Sequence, residues 1–455
     1  MSSLRYAFLP YPAIASYSPK SVYHMKFFVS LISIAILTAT GCTPDTLVKS
    51  ENNSKNQQPM HNRQAGKTGI CANPAPPPTS KCSETVTAAF DHRGTLWIVW
   101  VNNDHLYVQS SVDKGISFSE PVRVNAVAEP IAAKGESRPK IKLDAHGNIF
   151  LTWNRNLGEK HSTHVRFSRS TDGGKQFSEP VTINDNLDII RHRLDSLAVG
   201  KKGEVFISWL DARDVEAVKK PGQKTQGLSL YYTWSDDGGK HFYPNKSVII
   251  GTCECCRIDT AIAQDNTPVI AWRHIFEGGI RDHAIVNFKD WNTPRETLRL
   301  SHENWQIDAC PHHGPGLSIS DTGIYHAVWF SNSPAKQGLF YAYSKDSGRH
   351  FSEPVNFGNA GASHAHVLAS GNQVRVVWRE FDGSNTIIRL MKSADEGKTW
   401  TTGPETLART AEMADNPFLI SDGRKIYLSW QIQQQNFRLN PVDEIKMSHK
   451  LAVLP

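Results

Sequence analysis

The chain has 455 residues, 39% of them apolar and 21% charged, with a formal charge of +6. That composition excludes a disordered or fibrous protein and suffices for a large core or one long repeat array. Lysine and arginine are scattered rather than blocked, which gives nucleic-acid binding no support and leaves a small anionic ligand open.

Near the N-terminus, Met25-Lys26 leads into an apolar run from Phe27 to Leu37, closed by Thr38-Ala39-Thr40-Gly41-Cys42. The run is too short to span a bilayer and reads as an export signal. Its end resembles a bacterial lipoprotein cleavage site, with Ala39 where leucine is more usual; cleavage there would leave Cys42 as the lipidated first residue and membrane anchor. Residues 1–24 carry no basic start of their own, so Met25 is the expected start and residues 1–42 the leader. Residues 43–82 are polar and proline-rich (Pro74, Pro76, Pro77, Pro78), a flexible tether. Export places the chain in the cell envelope, facing the periplasm or the outside. That compartment is oxidising, so Cys71 and Cys82 are expected to pair.

The folded domain is read as residues 83–455. A short apolar strand ending in tryptophan recurs seven times, at Trp100, Trp153, Trp209, Trp272, Trp329, Trp378 and Trp430. A period of roughly 50–60 residues fits propeller blades of four strands each. Consecutive rather than alternating apolar residues fit sheets covered on both faces. Five of the units also carry Ser-x-Asp-x-Gly-x-x-aromatic: Ser111–Phe118, Ser170–Phe177, Ser235–Phe242, Ser344–Phe351 and Ser393–Trp400. Serine and aspartate side chains hold the backbone of a tight turn, glycine supplies positive φ, and the aromatic plugs a gap between strands. Asp113, Asp172, Asp237, Asp346 and Asp395 are therefore read as turn residues with no catalytic role. The fourth unit offers only Phe288-Lys289-Asp290-Trp291, and the seventh has no such turn. The expected fold class is all-β, a propeller of four-stranded blades. Seven blades are preferred; six would follow if the first and last units shared one.

About 15 residues ahead of each tryptophan, where the innermost strand of a blade should begin, stand Glu84, Arg138, Arg193, Arg257, His313, His364 and Asp415. Ionisable groups converging on one axis are costly to bury without a ligand, water or mutual pairing. One reading is a set of ion pairs that plugs the channel. The other is a site in which Arg138, Arg193 and Arg257 fork onto a carboxylate, phosphate or sulfate, beside His313, His364 and Asp415, with Asp195 or Asp259 as an acid.

The repeated turns resemble the Asp-box, or BNR repeat, of the sialidase superfamily. That resemblance implies a six-bladed propeller, an arginine triad for the substrate carboxylate, a tyrosine nucleophile activated by a glutamate, and an aspartate acid/base. Ser137-Arg138-Pro139 is similar to the surroundings of the family's first arginine, while no tyrosine and glutamate pair can be matched. The implied function is an exported, monomeric glycan-binding propeller, a sialidase-like hydrolase if it turns over, with no cofactor required.

Cys253-Glu254-Cys255-Cys256-Arg257 and Cys310-Pro311-His312-His313 flank two of the ring positions. Both are similar to motifs of a branch of exported sialidase-like propellers. Four cysteines in an oxidising compartment can close two disulfides, for instance Cys256 to Cys310. Alternatively, Cys253, Cys255, Cys256 and Cys310, with His312, His313, His364 and His366, form a copper or zinc site on a non-enzymatic metal-binding or protein-docking propeller. The nearby Trp272-Arg273-His274 and Arg281-Asp282-His283 are read as local arginine–aspartate pairing.

Overall fold

The computed structural model describes residues 68–73, 77–159, 161–218 and 227–442. The leader, Cys42, the tether up to residue 67 and residues 443–455 lie outside them. Each tryptophan-ended strand is the second strand of an antiparallel sheet, and there are seven sheets: residues 86–123, 140–182, 192–252, 259–299, 316–357, 363–410 and 418–441. Six have four strands and the seventh has three among the described residues. The first strands of successive sheets neighbour one another in order, and the first strand of sheet seven meets that of sheet one. The molecule is therefore a seven-bladed propeller with the first strands around its axis, and the six-bladed alternative falls.

The second strands are covered on both faces, as Pro268–Arg273 shows by being buried at every residue. The seven tryptophans are all but sealed from solvent. Several close their indole N–H locally: Trp209 donates to Asp211 at 2.8 Å, Trp378 to Glu380 at 2.9 Å, and Trp430 to the Asp415 carbonyl at 2.9 Å. A buried indole without such an acceptor would lose a hydrogen bond on folding.

All five Asp-boxes link the third and fourth strands of their blades with one bonding scheme. In the second, Ser170 Oγ donates to Asp172 and accepts from the Gly174 N–H at 3.0 Å, while Asp172 takes the Gln176 N–H. The glycine does more than permit positive φ. A Cβ on Gly174 would stand 2.6 Å from Trp97 of blade one, and a Cβ on Gly239 2.5 Å from Phe167 of blade two. The box aromatic works at the same seam: Phe242 packs edge-on to Phe167 at 4.9 Å, and Trp400 to Tyr341 of the preceding blade at 4.7 Å. It plugs a gap between blades, not between strands as the sequence suggested. Blade four, lacking a box, presses Trp291 onto Gly200 and Phe206 of blade three instead. Gly239→Ala is accordingly expected to cost about 1–3 kcal/mol, because the new methyl has to displace an aromatic ring in a packed seam. Urea unfolding would show this, and an unchanged midpoint would mean the seam is loose.

Blade seven closes the ring through Phe437, Leu439 and Ile420, which pack with Val86, Leu96 and Trp100 of blade one. The segment preceding blade one is tied to the same blade: Thr68 donates its N–H to Gln434 Oε1 at 2.7 Å, and Gln431 Nε2 reaches the Ser80 carbonyl at 3.5 Å. Cys71 and Cys82 form the expected disulfide within it.

Candidate functional site

At the axis, residues far apart in sequence meet. Glu136, two residues before Arg138, accepts from Arg257 Nη1 at 2.9 and 3.1 Å and contacts His364 Nδ1 at 2.8 Å. It thus joins the approaches to blades two, four and six. Burial alone would raise its carboxyl, but the Arg257 guanidinium and His364 outweigh that and hold it well below the usual carboxylate range. Arg257 also donates to the carbonyls of Pro315 at 3.0 Å and Ala365 at 2.8 Å, so its donors are consumed by protein.

Arg138 forms a buried ion pair with Asp415 and donates to Thr87 Oγ1 and the Val86 carbonyl, both at 3.1 Å. Its guanidinium lies 4.5 Å from the centre of the Phe418 ring. Burial pushes the Asp415 carboxyl up despite Arg138. His313 stacks on Phe330 at 4.2 Å and stands 4.9 Å from His364, beside a narrow crevice too tight for a water molecule that also touches Trp329. Burial lowers the pKa of both imidazoles, that of His313 well below the ordinary value, while Glu136 opposes the shift at His364. His366 takes the Leu419 N–H at 3.3 Å and lies against Phe418, with Arg257, Arg138 and Glu136 as its charged neighbours.

The carboxylates proposed as acids are engaged otherwise. Asp195 is bonded by Thr152 Oγ1 and lies 3.8 Å from Lys140, not beside Arg193. Asp259 accepts the Leu317 N–H at 2.8 Å, and burial raises its carboxyl. Glu84, the blade-one ring residue, sits outward in an exposed ion pair with Lys134. The tyrosine hydroxyls whose bonds are seen go to Asp214, Asn292, Asp236, Asn287, His326 and Asp422. None of those partners belongs to the axial cluster, so none of these six tyrosines is placed there.

The three arginines expected to act together do not converge. Arg138 and Arg257 share the axis, whereas the charges around Arg193 are Cys255, Arg191, Glu254 and Cys310. Its strand bulges at this point, with Leu194 at φ 55°, which sets Arg193 apart from the axial pair. What sequence reading missed is Glu136, which belongs to no ring register, and Arg379 at the end of blade six's second strand. Arg379 donates to Asn416 Oδ1 at 3.2 Å, and burial lowers its pKa despite the nearby Asp415 and Glu136 carboxylates.

The cysteine segment corrects two expectations. Cys253, Cys255 and Cys256 lie together and are buried, whereas Cys310 is exposed and unbonded, so no Cys256–Cys310 disulfide is formed. Nor do histidines join the thiols: His366 and His364 belong to the axis, and His312 is exposed. Arg281 and Asp282 do not pair with each other either. Asp282 binds Arg299 and the Asn304 N–H, while Arg281 reaches Cys253 Sγ at 3.3 Å and Asp308 Oδ1 at 4.0 Å.

No protein-family model matches the chain, and no curated protein matches it. Among solved structures it is similar to an ulvan lyase described as a new polysaccharide lyase family, at 10% identity and a TM-score of 0.49, over 78% of this chain and 90% of that one. It is also similar to a Hadza microbial sialidase, at 14% identity and 0.45, over 76% of each chain. A third is a point mutant of the NanB sialidase from Streptococcus pneumoniae, at 8% and 0.44, over 77% and 83%. At these values the likeness goes with the propeller fold and gives no residue a role.

Proposed function

We propose that the chain is an exported envelope lipoprotein, anchored through Cys42, whose propeller binds an anionic glycan or related small anion at the mouth of its central channel. One observation carries this reading: guanidinium donors are left open in a largely buried setting. Arg138 Nη1 is buried without a partner, and Arg379 donates once, to a neutral amide. A buried guanidinium that lacks acceptors is costly, and a carboxylate or sulfate supplies them in bidentate geometry. Binding is favoured over hydrolysis because no tyrosine and glutamate pair matching the sialidase mechanism is seen at the axis among the described residues.

Calorimetric titration with N-acetylneuraminate, glucuronate and a sulfated disaccharide, against their neutral counterparts, tests it. At least one acid should bind and its neutral partner should not. Arg379→Ala should weaken that binding by about 1.5–3 kcal/mol, the usual contribution of a hydrogen bond to a charged group. Equal affinity for charged and neutral sugars, or none for either, would overturn the reading. Release of reporter from a fluorogenic sialoside, lost in Arg257→Ala, would instead make the site hydrolytic.

A further inference from the structure

Between blades three and four the chain turns inward at Cys253-Glu254-Cys255-Cys256, and the three sulfurs gather. Cys253 Sγ lies 3.6 Å from both Cys255 Sγ and Cys256 Sγ, and the latter two are 3.9 Å apart. All three thiols are buried, and nothing in the axial anion site uses them. We propose that Cys253, Cys255 and Cys256 form a three-thiolate site for a soft metal ion, zinc or copper(I), with Cys310 as the fourth ligand.

Geometry is the first support. An ion 2.3 Å from each sulfur, the zinc–thiolate distance, would subtend S–metal–S angles of roughly 103–116° at these separations. That brackets the tetrahedral angle and leaves the fourth apex open. Parity is the second. Three sulfurs cannot all be satisfied by disulfides among themselves, and adjacent Cys255 and Cys256 have α-carbons only about 3.8 Å apart, below the usual span of a disulfide.

Charge is the third. Three thiolates around a mono- or divalent ion carry net negative charge, which a buried site tolerates only beside cations. Arg281 Nη1 donates to Cys253 Sγ at 3.3 Å, and Arg273 and Arg193 act on the same sulfurs. Arg281 also donates through Nε to the Ile307 carbonyl at 2.9 Å, and Arg273 holds the His313 carbonyl at 3.0 Å. The two arginines therefore hold both sides of the loop that carries Cys310. Gly314 at the end of that loop lies directly on the Arg257 backbone, with no room for a Cβ.

Metal binding here is independent of the axial anion, and the test separates them. The full-length protein is purified without chelator, reduced, and dialysed against zinc or copper(I), with metal content and free thiols measured. About one equivalent of either ion should be bound per chain, and a cobalt-substituted sample should show the thiolate-to-cobalt charge-transfer absorption. Cys256→Ser should abolish both, Cys310→Ser should weaken retention against a chelator about tenfold or more, and Arg379→Ala should change neither. Should Cys256→Ser fail to fold, protection of the wild-type thiols from alkylation by zinc gives the same answer. Absence of stoichiometric metal, or a mapped disulfide joining two of the three buried cysteines, overturns the site. Full retention in Cys310→Ser removes Cys310 from it.

Discussion

Replacing Asp415 by alanine is expected to lower the unfolding free energy by about 3–5 kcal/mol, the penalty for stranding one member of a buried ion pair. Both side chains of the Arg138–Asp415 pair are 3% exposed. Without the carboxylate, Arg138 keeps only the Thr87 hydroxyl and the Val86 carbonyl, and Nη1 already lacks an acceptor. The pair also spans blade one, linking the approaches to blades two and seven, so its loss should loosen the ring's closure. Urea denaturation with an unchanged m-value is the measurement. An apolar double replacement, Arg138→Met with Asp415→Leu, should recover much of the loss, since no charge is then left buried. A cost below about 1 kcal/mol for the single variant would show that water reaches the pair and that the channel is open, as for an exposed pair.

The second large effect is with acid. His326, fully buried in blade five, contacts the Tyr341 hydroxyl at 2.8 Å through Nδ1, and its Nε2 has no partner. Burial lowers its pKa from 6.5 to about 4. His283 is driven well below the ordinary value by burial and then by Arg273. In each case the unfolded chain takes up a proton before the folded one does. Their stabilisation is therefore complete above about pH 6.5 and is lost as pH falls toward the folded value. For His326 alone the shift corresponds to roughly 3 kcal/mol. Asp259 and Asp415, raised by burial, act in the opposite sense, and Glu136, held low by Arg257 and His364, loses its contribution only at lower pH. The denaturation midpoint should thus fall between about pH 6.5 and 4, and His326→Gln should flatten that slope. A midpoint constant across this window would mean that the buried histidines are hydrated.

The fold was legible because its signals are local and repeated. Seven tryptophan strands and five Asp-boxes are each specified by a few neighbouring residues, and stacking copies them around the ring. The axial site was half legible, since the ring register located Arg138, Arg257, His313, His364 and Asp415. Which of them meet depends on side chains crossing the channel, and no period encodes that. Glu136 sits two residues off the register in a Gly135–Glu136 turn, yet it joins Arg257 to His364. Arg193 keeps the register, but a bulge turns it toward the cysteines. The thiol cluster was visible as a motif, while Arg281, which donates to Cys253, read only as part of local arginine–aspartate pairing.

The N-terminal segment fastens to blade seven as well as to the blade it enters, where Ser83 Oγ takes the Val101 N–H at 3.3 Å. Thr68 and Ser80 grip Gln434 and Gln431 beside the place where the hoop is joined, with the Cys71–Cys82 loop between those two grips. Tension pulled through that end of the chain would arrive at the join itself, and the cross-linked loop shortens the length of chain able to peel away. Were the chain anchored at that end, as proposed above, the load would fall on the clasp and not on the hub with its charged side chains.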